Sequence, residues 1–300
     1  MSSLESIRRK VEGTEDLEAV VKTIKTLAAV SIRQYERAVE SLAEYNRAIE
    51  MGLQVPLRAG VSGLPAPATP NRGGGLGAVI LGSDQGLVGR FNEHIVSHAI
   101  AVMDELHPAP GQRLVACVGE RAHQHLEDAQ QPVEQLLSLP SSLVGITPTV
   151  RTILVMIDGW RARGGIDRIV LFYNRTLFGT SYSPYTVHLL PLDQDWLQSL
   201  LQREWPTHVL PTFTMDRDQL FSHLIRNYIF VSLYRAFAES LASENASRLA
   251  SMQQAERNIA ELLDDLRAQY RHQRQTSITE ELLDTIAGFQ ALVDSKGWEG

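Results

Sequence analysis

Residues 243–282 have the sequence SENASRLASMQQAERNIAELLDDLRAQYRHQRQTSITEEL, which contains neither proline nor glycine. Apolar side chains recur along it every three or four residues, which is the period of one helix face. The proline-free region extends over 216–290, and its apolar positions begin near Phe230 and continue to Phe289. About seventy helical residues would span roughly 110 Å, more than the diameter of an ordinary domain of this size. The helix must therefore project beyond the globular part of the protein, or break.

The first fifty residues show the same pattern, with no proline and Gly13 as their one glycine. Their apolar stripe is narrow, as in the seam of a coiled coil. It comprises Leu4, Ile7, Val11, Leu17, Val21, Ile24, Ala28, Ile32, Tyr35, Val39 and Leu42. Two such stripes at opposite ends of one chain can bury each other in an antiparallel pair, if the middle of the chain is inserted between them.

The middle of the chain alternates short apolar runs with segments of helical period. The runs at 76–82, 113–119 and 167–174 predict strands buried on both faces, and 185–192 predicts an antiparallel edge strand. Helical period follows at 91–106, 120–128 and 149–163. This alternation predicts a parallel sheet with crossover helices, a Rossmann-like domain.

The predicted fold is therefore a long antiparallel two-helix coiled coil with an inserted Rossmann-like α/β domain. Its predicted boundaries are an N-terminal helix over 1–55, a Gly/Pro-rich linker over 56–75, the α/β domain over 76–211, a C-terminal helix over 212–290 and a tail over 291–300.

Composition restricts the classes of function. The chain of 300 residues is 44% hydrophobic and 21% charged, which excludes a wholly disordered protein. A formal charge of −7 disfavours a nucleic-acid partner. One cysteine, Cys117, excludes an intramolecular disulfide and a cysteine-ligated zinc site, and its apolar strand predicts inert packing. No run of about eighteen apolar residues occurs, so we expect any membrane association to depend on a partner.

The turn LGSDQGLVGRFN (81–92) lies between a predicted strand and a predicted helix, where the backbone N–H groups of a glycine-rich loop can bind a phosphate. The Lys-Ser/Thr ending of a Walker loop is missing, and so is Gly-x-Gly-x-x-Gly. A tight turn with Asp84 as a cap and glycines at positive φ is the favoured interpretation. The histidine pairs His123/His125 and His94/His98 lack further ligand spacing, and Ser181 and Ser183 lack a nucleophile elbow. No catalytic, cofactor or metal site is predicted.

Two features of the final helix favour contact with other elements. Its small residues from Ala242 to Ala255 allow another helix to approach closely. A cationic, polar interruption then follows at Arg271, Arg274 and Gln275, and such side chains can bind carboxylates of a partner.

These segments resemble the gamma subunit of F-type ATP synthases. The family run Ser-Glu-x-x-Ala-Arg-Met-x-Ala-Met stands here as SENASRLASM at residues 243–252, and Arg-Gln-x-x-Ile-Thr-x-Glu-Leu is matched by residues 274–282. The segment IRRKVEG…IKTLAAVSIR resembles the family's first helix, and the 81–92 turn resembles its glycine-rich turn. The chain departs from the family at Ser31, where the family has lysine, and at Val88, where it has cysteine. The first fifty residues are also nearly neutral, with eight basic and nine acidic side chains.

The resemblance implies a non-catalytic rotor subunit of a proton- or sodium-translocating ATP synthase, without a cofactor of its own. Its implied partners are a hexamer of three alpha and three beta subunits, an epsilon subunit and the membrane c-ring. It would lie on the cytoplasmic face of a bacterial or archaeal plasma (inner) membrane. The implied partner contacts are Arg274, Gln275, Thr279, Ile24, Ser31 and Arg248.

Two other hypotheses stay open. The glycine turn fits a nucleotide-binding, Rossmann-like enzyme whose long helices only dimerise it. The paired end-helices fit a coiled-coil scaffold unrelated to rotation.

Overall fold

A computed structural model describes residues 2–60, 74–106, 110–205 and 211–296. The helices are α1 (Ser2–Arg58), α2 (Phe91–Leu106), α3 (Glu120–Asp128), α4 (Leu143–Ala162), α5 (Gln194–Gln202) and α6 (Arg217–Lys296). The strands are β1 (Gly75–Leu81), β2 (Arg113–Val118), β3 (Gln135–Leu137), β4 (Ile166–Phe178) and β5 (Ser181–Leu190).

The five strands form one sheet in the order β3-β2-β1-β4-β5. The first four are parallel, with Val79 of β1 opposite Ala116 of β2 and Leu171 of β4. Strand β5 is antiparallel to β4 and forms the edge of the sheet. The predicted parallel sheet and its antiparallel edge strand are confirmed.

The two end-helices are long and unbroken, with 57 residues in α1 and 80 in α6. At 1.5 Å per residue, α6 is about 120 Å long. Asp216 caps its first turn, because its Oδ1 accepts the N–H groups of Asp218 and Gln219. The final helix therefore does not break.

The chain divides into two compact units, one made of Ala28–Ala250 and the other of the chain before and after that range. Within the larger unit, Arg217 at the start of α6 donates to the carbonyl oxygens of Ala59 and Gly60, and Gly52 lies against Leu224. Within the smaller unit, Lys25 binds Glu256 and Glu15 binds Arg267. As positions in α1 decrease, their partners in α6 increase, so the helices are antiparallel. The predicted fold class is confirmed.

The two faces of the sheet are covered by different helices. One side of β1, with Val79 and Leu81, packs on α4 and on the part of α6 around Phe237. The other side, with Ala78 and Ile80, packs on α2 and α3. Among the described residues, α4 is the single helix whose length and composition would allow a membrane span, yet it buries Trp160 and five other side chains in the core.

Several elements differ from the sequence-based predictions. Strand β3 and helix α5 were not predicted, and α4 begins at Leu143 rather than at 149. Ser181 and Ser183 belong to β5, which begins before the predicted edge strand over 185–192. Most of the predicted linker over 56–75, namely 61–73, lies outside the described residues, as do 297–300 of the predicted tail.

Candidate functional site

The segment of α6 around residues 239–247 lies at the carboxyl edge of the parallel strands. Ser243 shares a hydrogen bond of 2.8 Å with Thr176 near the end of β4. Ser247 donates to the backbone oxygen of Val88, in the turn after β1, over 2.6 Å. In open α/β sheets this edge is where ligands bind. Here α6 occupies it.

Two of the small residues of α6 contact the α/β domain. Ser243 and Ser247 are buried, and their hydroxyl groups bond to Thr176 and Val88 of that domain. Tyr173 adds a third link, because its hydroxyl donates to Glu239 at 2.7 Å. Burial, followed by the charge of Glu239, raises the pKa of this tyrosine far above its usual range. These links fix α6 to β4 and to the glycine turn.

A buried ion pair lies inside this contact. Glu244 is 4% exposed, and its Oε1 accepts from Arg248 Nη2 at 2.6 Å. Burial is the largest influence on Glu244 and raises its pKa, while the neighbouring Arg248 lowers it. The carboxylate thus depends on Arg248 for most of its compensation.

The start of the glycine-rich turn after β1 is closely packed and hydrogen-bonded within the protein. The N–H of Gly82 donates to Val118, and the N–H of Ser83 donates to Oδ1 of Asn92. A Cβ on Gly82 would lie 2.2 Å from the Cβ of Ala122, so glycine is needed there for close packing. The backbone N–H groups of Gly82 and Ser83 are therefore not free to bind a phosphate, which supports the tight-turn interpretation.

Asp84 does act as a cap, but for a helix other than the one that follows it. Its Oδ1 accepts the N–H of Glu120 at the start of α3, and its Oδ2 accepts the N–H of Leu139. Gly89 has the expected positive φ of 55°, and Leu87 adopts φ 64° without being glycine. Gly119, at φ 107°, lies against the backbone of Ser83.

The cysteine and the histidines that the sequence analysis considered have ordinary structural surroundings. Burial raises the pKa of the Cys117 thiol to about 12, as expected for inert packing. His98 contacts the hydroxyl of Thr186 at 2.8 Å, and the ring of His94 lies tilted beside that of Tyr182, with 6.0 Å between the ring centroids. Among the residues that the structure describes, no group of His, Cys, Asp and Glu could hold a metal ion.

The predicted partner-contact residues fall into three environments. Arg274, Gln275 and Thr279 are exposed on α6. Within the described chain, the side chains of Arg274 and Gln275 have neither an ion pair nor a hydrogen bond. Ile24 and Ser31 on α1 are half-buried. Arg248 is 13% exposed and is held by Glu244.

The exposed end of α6 also carries apolar side chains. They are Ile278, Leu282, Leu283 and Ile286. On α1, Leu17, Val20 and Leu27 are likewise exposed. The three positions on α1 are spaced by three and seven residues, which the sequence shows. The sequence does not show which of these side chains a second helix covers.

Known proteins resemble this chain over nearly its whole length. A family model described as ATP synthase matches residues 3–292. The ATP synthase gamma chain of Bartonella bacilliformis is 27% identical over 305 residues, covering 97% of this chain and 100% of that one. The gamma chain of Nostoc punctiforme is 26% identical over 320 residues, with the same coverage. The chain belongs to the ATP synthase gamma family.

Solved structures agree on the fold of this gamma-family chain. The rotor of the Euglena gracilis mitochondrial ATP synthase superposes with a TM-score of 0.63 at 17% identity, over 92% of this chain and 99% of that chain. The central stalk of the Tetrahymena thermophila enzyme gives a TM-score of 0.56 at 20% identity, over 79% and 99%.

Proposed function

We propose that this chain is the rotating central shaft of an F-type ATP synthase, coupling ion flow through a membrane ring to conformational change at the catalytic sites. The observation that carries the proposal is the unbroken 80-residue helix α6 with α1 antiparallel to it, in a member of the gamma family. A shaft needs torsional stiffness, and two long packed helices provide it. The chain itself performs no chemistry.

The mechanism follows from differential binding. A ligand shifts a conformational equilibrium only by interacting more favourably with one state than with another. A single asymmetric shaft inside a ring of three alpha and three beta subunits contacts each of three chemically identical beta sites differently. Its rotation would therefore exchange which site is open and which is closed.

We infer that the exposed polar group Arg274, Gln275 and Thr279 contacts the surrounding hexamer. Exposed guanidinium and amide groups without intramolecular partners can bind carboxylates and carbonyl groups of another chain. Ile24 and Ser31 on α1 would add a less polar contact. Arg248 exposes little of its side chain, so its contribution would be to hold Glu244 and the contact between α6 and the α/β domain.

The further partners would be an epsilon subunit and the c-ring. The relatives from Bartonella and Nostoc are bacterial. We therefore propose a peripheral position on the cytoplasmic face of a bacterial inner membrane, reached through these partners. The identity of the coupling ion, proton or sodium, is a property of the membrane ring.

Reconstitution tests the proposal. Purified alpha and beta subunits should hydrolyse ATP steadily with this chain and much more slowly without it. Equal turnover with and without the chain would reject the shaft function.

The contact residues need a separate test, Arg274→Ala with Gln275→Ala. We expect weaker assembly or weaker coupling of ATP synthesis to ion flow. The matched control is Arg257→Ala with Gln254→Ala, an exposed Arg/Gln pair on the same helix whose members bond each other. If both double variants behave like the unmodified chain, Arg274 and Gln275 are not partner contacts.

The hypothesis of a nucleotide-binding enzyme predicts tight binding of a nucleotide or dinucleotide by the isolated chain in equilibrium dialysis. The bonded N–H groups of Gly82 and Ser83 and the two serines of α6 at the sheet edge oppose this hypothesis. The scaffold hypothesis predicts a paired-helix protein that does not co-purify with a nucleotide-binding hexamer.

A further inference from the structure

A groove runs between α4 and the first part of α6, on the side of the α/β domain away from the glycine turn's helix α2. It comprises two adjoining cavities of about 340 and 500 Å³. Leu154 and Arg226 line both cavities, so the two adjoin. We refer to this feature as the α4–α6 groove.

The floor of the α4–α6 groove is apolar. Ile157 and Ile229 lie in the first cavity and Phe230 in the second. The adjoining surface of α4 is apolar as well, since Val155 is 64% exposed and Val144 is 83% exposed. Exposed apolar surface beside a groove is typical of a site that a partner covers.

The rim of the groove is cationic. Arg151, Arg161 and Arg226 line it, and Asp158 is the one carboxylate among the described residues that line either cavity. Asp158 is already paired with Arg226 at 2.9 Å. Within the part of the chain that the structure describes, Arg151 and Arg161 have no ion-pair partner. This local positive charge contrasts with the net charge of −7 of the whole chain.

The spacing of the two unpaired arginines defines the shape of a complementary ligand. Arg151 and Arg161 are ten residues apart on α4, which corresponds to about 15 Å along the helix. A helix lying in the groove would match them with two carboxylates about three turns apart. Apolar residues between those carboxylates would contact Val155 and the floor.

We propose that the α4–α6 groove binds an amphipathic, acidic helix of a partner protein. The apolar floor supplies the contact area, and the arginines select carboxylates and set the register. This inference goes beyond the shaft function, because it concerns a surface of the α/β domain and none of the residues assigned above to the hexamer.

Photo-crosslinking in living cells tests the proposal without assuming any assembly. p-Benzoylphenylalanine replaces Val155 in the full chain, and the adduct is digested and sequenced by mass spectrometry. Leu136, an exposed residue on β3 that is remote from the groove in the fold, is the control position. We expect the adduct at 155 to contain a helix-forming peptide with an apolar stripe flanked by at least two carboxylates.

Charge reversal then tests the arginines. Arg151→Glu with Arg161→Glu should lower the adduct yield at 155 at least tenfold, and exchanging the partner's carboxylates for lysines should restore it. Arg33→Glu with Arg37→Glu makes the same change of charge on exposed positions of α1 and should leave the yield unchanged.

Three results would overturn the proposal. They are the absence of a protein adduct at 155, an adduct to a basic or uncharged segment or to lipid, and a yield that Arg151→Glu with Arg161→Glu does not change. Circular dichroism of each variant should retain the helical signal of the unmodified chain. If the charge-reversed variant loses that signal, Arg151→Gln with Arg161→Gln takes its place. This variant should also lower the adduct yield at 155.

Discussion

Glu244 and Arg248 form an ion pair of 2.6 Å, one turn apart on α6, where the helix is buried against the α/β domain. Glu244 follows Ser243 and Arg248 follows Ser247, the two serines that bond to the sheet edge and to the glycine turn. The family-like run of residues 243–252 is therefore, in this protein, the segment that attaches the long helix to the inserted domain.

Removing Arg248 should destabilise this attachment in a way that depends on pH. In Arg248→Met, Glu244 keeps its burial but loses the group that lowers its pKa, so its folded-state pKa rises further. We expect a loss of about 3–5 kcal/mol in unfolding free energy at pH 8, as for other broken buried pairs. The loss should shrink as pH falls towards the pKa of the unfolded carboxyl. The carboxyl of Glu244 is then protonated in both the folded and the unfolded chain, so no buried charge remains. Urea unfolding at pH 5, 6.5 and 8 measures it.

The double variant Glu244→Gln with Arg248→Met provides the control for this pH dependence. It has no buried carboxylate, so its unfolding free energy relative to the unmodified chain should not show the steep decline between pH 5 and pH 8. A loss in Arg248→Met that is the same at all three pH values would mean that Glu244 is not the cause.

The glycine turn gives a second test, because two of its glycines have opposite surroundings. Gly82→Ala would place a Cβ 2.2 Å from that of Ala122, so we expect overpacking that costs about 1–3 kcal/mol. Gly86 has nothing within 4 Å of an added Cβ, so Gly86→Ala should cause no loss. Urea midpoints with unchanged m-values measure both. Equal effects of the two substitutions would contradict the packing explanation of Gly82.

Much of this fold follows from local sequence patterns. The strands β1, β2 and β4 are apolar runs buried on both faces, and α1 and α6 are long periodic segments without proline. In contrast, β3 has three residues, too few to show a period. The start of α4 was hidden by Pro148, because a proline usually marks a helix boundary. The start of helix α5 could have been predicted, because Asp193 is a typical N-cap residue and precedes the apolar positions Leu197 and Leu200. In the structure, Asp193 accepts the N–H of Asp195.

The site was less accessible to sequence reasoning than the fold. The small residues of α6 indicated close packing, but not that the partner would be the sheet edge. Ser247 and Val88 are 159 positions apart, and no local rule brings them together. The groove beside α4 depends in the same way on the tertiary packing of α4 against α6.

The helix pair in the smaller unit should depend on a specific ion pair. Lys25 Nζ lies 2.5 Å from Glu256 Oε2, and this bond lowers the pKa of Glu256. Lys25→Glu and Glu256→Lys should each speed amide hydrogen exchange around residues 251–267, and the double exchange should restore the protection. Because the folded-state pKa is lowered, the pair stabilises above the unfolded pKa of Glu256, and this contribution is lost as pH falls. Protection that the double variant does not restore would count against a direct pairing.

Cys117 should report on the opening of the sheet core. The thiol is fully buried in β2, and its pKa is raised to about 12 from an ordinary value of 9.0. The thiolate fraction at pH 8 should therefore be about a thousandfold lower than that of an exposed cysteine. We expect no reaction of the native chain with a maleimide at pH 8 over minutes, and complete reaction in 6–8 M urea at about neutral pH, where the unfolded chain exposes the thiol. Exposed Ser138→Cys, just after β3, is the positive control and should react at once. Rapid labelling of native Cys117, with a rate independent of urea, would show that the sheet opens locally at β2 and would contradict a rigid core.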